Sequence, residues 1–329
     1  RTRGNELMQC IRLEGVNSTT SEDAHLDRIG SLLAGIVAQV GTGFSFYLHK
    51  VSKAVDVTLP PIPGEGFASA VDQRWRTHLG RSGLRDKTIT LSVLKRPETG
   101  SRLPFGLGAS RTRFAADTTR RLRKLDEVVG FLLSSFDVLK PRLLAASTGE
   151  LFGFLGSLNT GEEHPLFPRS RLGVIAEDVA NTRVTFRGTT IVLSDGAVGE
   201  KVGAIFAVKN YPAKTDSLML DELNLPVDMV VTHSFVPINV NIMAGRIKRQ
   251  LRLMQAANDG AVSLAQELEL AQDDLESKRL IFGEHHMTVA VYARSQAALD
   301  DIASEIRNIS ATSGINLISE AFGARAHFM

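Results

Sequence analysis

Cysteine is nearly absent from this chain: Cys10 stands alone among 329 residues. A single thiol excludes an intramolecular disulfide and any zinc cluster built on several cysteines. Tryptophan occurs once and tyrosine three times, so stacking platforms for nucleic-acid bases are scarce. Long hydrophobic runs are missing too. The longest, Ile29–Val40, has about a dozen glycine-broken residues, where a membrane span needs roughly 20. Charge of one sign is also lacking, because 38 basic and 36 acidic side chains leave only +2, and bulk charge then marks no nucleic-acid binder. No basic segment followed by an apolar run opens the chain, so no secretory leader is read. Arg1 is not an initiator residue, and the natural chain is expected to begin earlier.

What is present is ordinary for a folded protein: 43% hydrophobic and 22% charged residues, at a length that suits two domains. Apolar spacing separates helices from strands. Leu26, Ile29, Leu33, Ile36 and Val40 predict one helix. Phe67, Val71, Trp75 and Leu79 predict a second, after the turn cluster Pro60–Gly66. Leu122, Leu125, Val129, Leu132, Phe136 and Leu139 predict a third, ended by Pro141. Between them Leu7–Leu13, Phe44–Phe46 and Ile89–Val93 read as strands, the last two half-buried by their alternation. Glycines 153, 156 and 161 with Pro165 and Pro168 mark a border between halves.

The second half predicts strands at Arg183–Phe186, Thr190–Leu193, Val202–Val208 and Met229–Val236, with a turn at Ser194-Asp195-Gly196. A helical segment then runs from Ile238 to Ser277. Its two apolar stripes lose register at Asn258-Asp259-Gly260, which predicts a break or a helical hairpin. Met287–Tyr292, a helix striped by Leu299, Ile302, Ile306 and Ile309, and Ile315–Ile318 close the chain. This last strand–helix–strand unit has the order and size of Leu7–Leu48, which raises an internal duplication. The expected class is α+β: two mixed, layered α/β halves, 1–160 and 161–329, the second with a β-rich start and the long helical insertion.

Chemistry-bearing patterns are few. No G-x-x-x-x-G-K-[ST] string cradles a phosphate. Gly41-Thr42-Gly43 precedes a strand, and Gly64-Glu65-Gly66 lacks a third glycine, so both read as turns. His285 and His286 are strand neighbours on opposite faces and do not readily share a metal. With His233 they would serve a metal hydrolase only if all three imidazoles converged. The carboxylates Glu267, Glu269, Asp273, Asp274 and Glu276 lack the glycine turn of a calcium loop and read as a solvated face. The basic run Arg111, Arg113, Arg120, Arg121, Arg123 and Lys124 is opposed locally only by Asp117. It reads as a solvated face, or as a surface for anionic headgroups or an acidic partner. Residues 1–165 hold 22 basic and 17 acidic side chains, and the remainder 16 and 19. The two halves therefore differ in sign.

Residues 231–292 form a distinctive string. Val231-Thr232-His233-Ser234-Phe235 leads into a helix bearing Ile247-Lys248-Arg249-Gln250. Asp273-Asp274-Leu275 follows, then Phe282-Gly283-Glu284-His285-His286. This string resembles the VirB/TrbE/CagE family of type IV secretion and conjugation ATPases, in the part that precedes the motor. Asn210-Tyr211-Pro212 before Asp221-Glu222-Leu223, and the opening segment up to His49, resemble it as well. The resemblance implies an assembly and docking role at the cytoplasmic face of the bacterial inner membrane, peripheral rather than inserted. It implies contact with inner-membrane subunits, with other secretion ATPases and with further copies of the chain, and no small-molecule substrate. ATP and magnesium are expected in a RecA-like motor domain beyond Met329, so no catalytic, cofactor or metal residue is carried across. A nucleic-acid-handling module of a conjugation machine and a stand-alone His-based metal hydrolase are the alternatives.

Overall fold

The computed structural model describes all residues except 1, 3, 17–19, 56–59, 61, 63, 65, 82, 98–110, 162, 170–174, 181, 195–198, 213–214, 216–218, 257–261, 278–280, 322 and 325–329; at 81, 111–114, 175, 262 and 263 only the backbone is described. The expected turns at Ser194-Asp195-Gly196 and Asn258-Asp259-Gly260 therefore fall largely outside the described residues.

The chain is α+β. In order it runs β1 (Leu7–Leu13), α1 (Asp23–Val40), β2 (Phe44–Ala54), α2 (Phe67–Arg81), β3 (Arg85–Lys95), α3 (Arg111–Ser135), β4 (Arg142–Leu143), α4 (Glu150–Thr160) and α5 (Ile175–Val179). Then come β5 (Arg183–Arg187), β6 (Thr190–Ser194), β7 (Lys201–Asn210), β8 (Asp228–Pro237), α6 (Val240–Ala256), α7 (Val262–Glu276), β9 (Gly283–Ala293), α8 (Gln296–Ser313) and β10 (Asn316–Ser319). Compactness divides the chain differently from a cut near residue 160. One unit combines 1–48, 91–143 and 233–286; the other combines 49–90, 144–232 and 287–329.

In the first unit the hydrogen-bonded order is β4-β1-β3-β2-β8-β9. β1 meets β4 antiparallel, with Ile11 opposite Leu143. α3 packs on β1 because Leu125, Val129 and Leu132, three and four residues apart, share one buried face. Leu122, expected on that stripe, is exposed. The helix ends at Ser135, before Pro141, and a 3-10 turn at Asp137–Leu139 leads to Lys140 in the left-handed region. α6 and α7 pack against each other and bury Ile247, Met254 and Leu275. Lys248 Nζ lies 3.6 Å from the Glu276 carboxylate, as the helical hairpin requires. Leu91–Lys95 of β3 are buried without alternation, so both faces of that strand segment are covered instead of one.

The second unit has the order β3-β2-β8-β9-β7-β6-β5, with β10 on β7. β6 pairs with the start of β7 (Leu193 opposite Lys201) and β10 with its end (Ser319 opposite Phe206), both antiparallel. One sheet face buries Phe206, Met229, Met287 and Val289 with Leu299, Ile306 and Ile309 of α8. The other buries Ile191, Leu193, Ile205, Val230 and Tyr292. Period-two alternation thus fills two cores.

Two four-strand orders repeat. β4-β1-β3-β2 and β10-β7-β9-β8 are the same permutation of consecutive strands. The duplication suspected from sequence therefore has a topological basis, but with a different correspondence: β9-α8-β10 matches β3-α3-β4, not β1-α1-β2. The glycine-rich border also differs from expectation. It contains α4, whose Phe154 and Ser157 are fully buried, and a Cβ on Gly153 would stand 2.3 Å from the His164 carbonyl oxygen. Those glycines permit close packing and do not loosen a linker.

Candidate functional site

The basic run lies along α3, and the structure splits it. Arg111 and Arg113 occupy the first turn, with side chains outside the described residues. Arg120, Arg123 and Lys124 are exposed, and Arg120 reaches Asp117 at 2.9 Å. Arg121 does not belong to that surface. It is fully buried, its Nη1 donates to the Asn5 carbonyl at 2.8 Å, and its Nε lies 2.9 Å from Asp117 Oδ2. Helical geometry explains this, because Arg121 stands four residues before the buried Leu125 and shares its face. The cationic surface is thus a strip of Arg120, Arg123 and Lys124 around the exposed Leu122, suited to an anionic partner surface and to no bond-making chemistry.

The distinctive strings meet in the first unit on adjacent strands. A Cβ on Gly283 would stand 2.3 Å from Phe235 Cζ, so the Phe235 ring fills the space a side chain would take. Ser234 Oγ donates to the His286 carbonyl at 3.4 Å. His233 Nδ1 and His285 Nε2 are 3.3 Å apart, with rings stacked at 5.5 Å. Two of the three imidazoles named for a metal hydrolase therefore converge, while His286 points to the other face of β9. Burial, then the neighbouring His286, lowers the His285 pKa. Among the described residues no group of three metal-ligating side chains forms, so the geometry offers no metal-hydrolase centre there. These residues interlock two strands.

Nucleophile chemistry is equally muted. Cys10 is buried against Ser92 Oγ at 3.3 Å, and burial raises its thiol pKa to about 11, far from a reactive thiolate. The Gly41 amide caps α1 by donating to Val37. The Gly43 carbonyl accepts from Lys95 Nζ at 3.3 Å and from the Arg96 amide at 3.1 Å. Neither glycine presents amides to a phosphate, and Glu65 of the second glycine pair lies outside the described residues.

In the second unit, Asp228 gathers cations. Arg85 donates to its carboxylate, Lys201 Nζ reaches it at 3.1 Å, and the Ala54 amide donates at 3.3 Å. Burial alone would raise the Asp228 pKa, but these contacts outweigh it and hold the pKa low. A cavity of about 670 Å³ borders this network. Lys53, Lys201 and Arg294 line it together with Asp86, Glu163 and Asp228, so both signs of charge stand in its wall.

The spacing of Phe67, Val71, Trp75 and Leu79 predicted a helix, and the structure forms it but leaves most of that stripe uncovered. Phe67, Val71 and Trp75 are exposed, and only Leu79 of that stripe is half-buried. The half-buried polar side chains of the helix hold the segment just before it. Asp72 and Arg76 pair at 2.6 Å, Asp72 accepts from the Ile62 amide, and Arg76 donates to the Pro60 carbonyl. A spacing of four residues announces an apolar face without saying what covers it. The extra signal was Asp72 and Arg76, four apart, beside a turn rich in backbone acceptors.

No helix among the described residues is long and apolar enough to cross a membrane. Comparison with known proteins agrees with the resemblance of the strings. The model described as "Type IV secretion system ATPase VirB4/TrbE, N-terminal domain" matches residues 1–102. The chain is 28% identical over 338 aligned positions to the type IV secretion system protein virB4 of Bartonella quintana, covering 97% of this chain and 42% of that protein. It is 26% identical to protein virB4 of Rhizobium radiobacter, over 98% of this chain and 42% of that protein. With the corresponding Brucella suis protein it shares 22%, over 95% and 40%. The chain thus spans about two fifths of the length of these curated relatives. The model described as "CagE, TrbE, VirB family, component of type IV transporter system" matches residues 139–329, more than half of the chain, and the chain belongs to that family.

Proposed function

We propose that this chain is the assembly and docking portion of a type IV secretion ATPase, holding the motor to an inner-membrane complex and to further copies of itself. The observation that carries the reading is where the family's strings go. His233–Phe235 and Gly283–His286 are spent on strand interlocking, while the sequence carries no G-x-x-x-x-G-K-[ST] string and the described residues bring together no three-ligand metal group. A chain that matches ATPase relatives along its whole length, yet places its matched residues in scaffolding, works by contact.

On this reading ATP and magnesium act in a motor portion outside this sequence. The partners are inner-membrane secretion subunits, other secretion ATPases and further copies of the chain, met at the cytoplasmic face of the inner membrane. The family name and the exposed strip on α3 support that placement. Excess chain produced in a cell with an intact secretion machine tests it. Substrate transfer falls if the chain occupies docking sites of the full-length ATPase, whereas transfer unchanged at a large excess contradicts the reading.

A further inference from the structure

Two ammonium groups of the second unit converge on one neutral oxygen. Lys50 lies on β2 and Lys87 on β3. Asn224 follows the 3-10 turn Asp221–Leu223, which is anchored by the burial of Leu223 in the sheet core. Lys50 Nζ donates to Asn224 Oδ1 at 2.9 Å, and Lys87 Nζ donates to the same atom at 2.8 Å. Two nitrogens that share one acceptor in this way stand roughly 5 Å apart. The amide oxygen carries no full charge to answer them. Lys53, Lys140, Lys201 and Lys248 each meet a carboxylate, of Asp86, Glu14, Asp228 and Glu276. Among the described residues Lys50 and Lys87 have only Asn224. Burial, then the charge of Lys87, lowers the Lys50 pKa, and Asp221 opposes them only in part.

We infer that Lys50 is a site of covalent acylation whose donor is an acyl phosphate, with Lys87 receiving the donor's phosphate. An amine attacks only in its unprotonated form, which partial burial and a neighbouring cation both favour. The Lys50 nitrogen attacks the acyl carbon and an N–C bond forms. The bond from that carbon to the phosphate oxygen breaks, and phosphate leaves with the electron pair and takes up the proton that the amine sheds. Lys87 is exposed beside the attacking nitrogen, and an ammonium there stabilises a phosphate better than a neutral leaving group. This selects an anionic donor. The product also suits the site. An acylated Lys50 keeps one N–H for Asn224 Oδ1 and no longer opposes Lys87, whereas acylating Lys140 or Lys201 breaks an ion pair.

The test follows acetylation of each lysine by mass spectrometry while the full chain is incubated with acetyl phosphate near neutral pH. Lys209, exposed at the end of β7, is the reference amine. Lys50 should react at least about threefold faster than Lys209, because a lowered pKa enlarges the unprotonated fraction of an amine. Lys87→Met, at an exposed position, should bring that ratio toward one with circular dichroism unchanged. Asn224→Asp sets a carboxylate between the two ammonium groups and should also slow Lys50. The neutral donor N-hydroxysuccinimidyl acetate should prefer Lys50 less than acetyl phosphate does. A Lys50 rate no greater than that of Lys209 in the unaltered chain overturns the inference, whatever the variants do. A preference untouched by Lys87→Met overturns the lysine pair as its cause, and equal preference with both donors overturns the acyl phosphate as the selected donor. None of these results bears on competition for docking sites in cells, and unchanged transfer in that competition leaves Lys50 acylation standing.

Discussion

Replacing Gly153 by alanine decides whether α4 is packed or merely a border element. Glycine inside a helix costs about 1 kcal/mol relative to alanine, so an unobstructed Gly→Ala change stabilises by that amount. At Gly153 the added Cβ would stand 2.3 Å from the His164 carbonyl oxygen, 3.0 Å from its carbon and 3.4 Å from Pro165 Cα. These are backbone atoms, and they are pinned nearby by the Leu166 amide donating to Gly149 at 3.1 Å. Relieving the clash requires the 164–165 backbone to retreat by roughly 1 Å, an overpacking of about 3 kcal/mol. Against the propensity gain the net loss is about 2 kcal/mol. Urea denaturation of the full chain measures it, with Gly35→Ala and Gly130→Ala as references, since a Cβ at either meets nothing within 4 Å. Both references should stabilise by up to about 1 kcal/mol. A Gly153→Ala chain as stable as the references would refute the close packing.

Other side chains give independent checks. The Tyr292 hydroxyl is buried without a hydrogen-bond partner, and burial raises its pKa; Tyr292→Phe should be neutral or stabilise by up to about 1 kcal/mol in the same assay. Asp228→Asn removes the carboxylate from the nearly buried Lys201 and should cost about 3 kcal/mol. Because folding lowers the Asp228 pKa, its contribution is complete above the ordinary value near 4 and declines as pH falls toward the folded value. Acid titration of wild type against Asp228→Asn should show the stability gap closing below about pH 4. Reversing Arg120, Arg123 and Lys124 together should preserve the melting temperature and weaken membrane recruitment, whereas Arg121→Glu should unfold the chain by burying a second carboxylate beside Asp117 where the guanidinium stood.

Period carried most of the fold in the sequence. Leu125, Val129 and Leu132 predicted the buried face of α3, and the loss of register between Met254 and Leu264 predicted a break or a hairpin where α6 and α7 part. Such patterns encode which residues share a face. They do not encode what faces them, which is why the α2 stripe lies in solvent and why the α3 cations divide between surface and core. Gly153 and Gly156 resembled linker glycines because one residue type serves both loose and tight backbone. The contacts of Phe235 with Gly283 and of His233 with His285 depend on the register of β8 against β9, set by residues more than 40 positions apart. The strings therefore identified the family without revealing that their residues clasp one another.

Docking through protein contact is tested most directly by affinity purification of the tagged chain from detergent-solubilised cells that make the secretion machine. Detergent strips lipid away and leaves protein contacts to carry the complex. The account predicts that inner-membrane secretion subunits co-purify with the chain, and do so less when Arg120, Arg123 and Lys124 are reversed. Recovery of the chain free of every secretion subunit would contradict it.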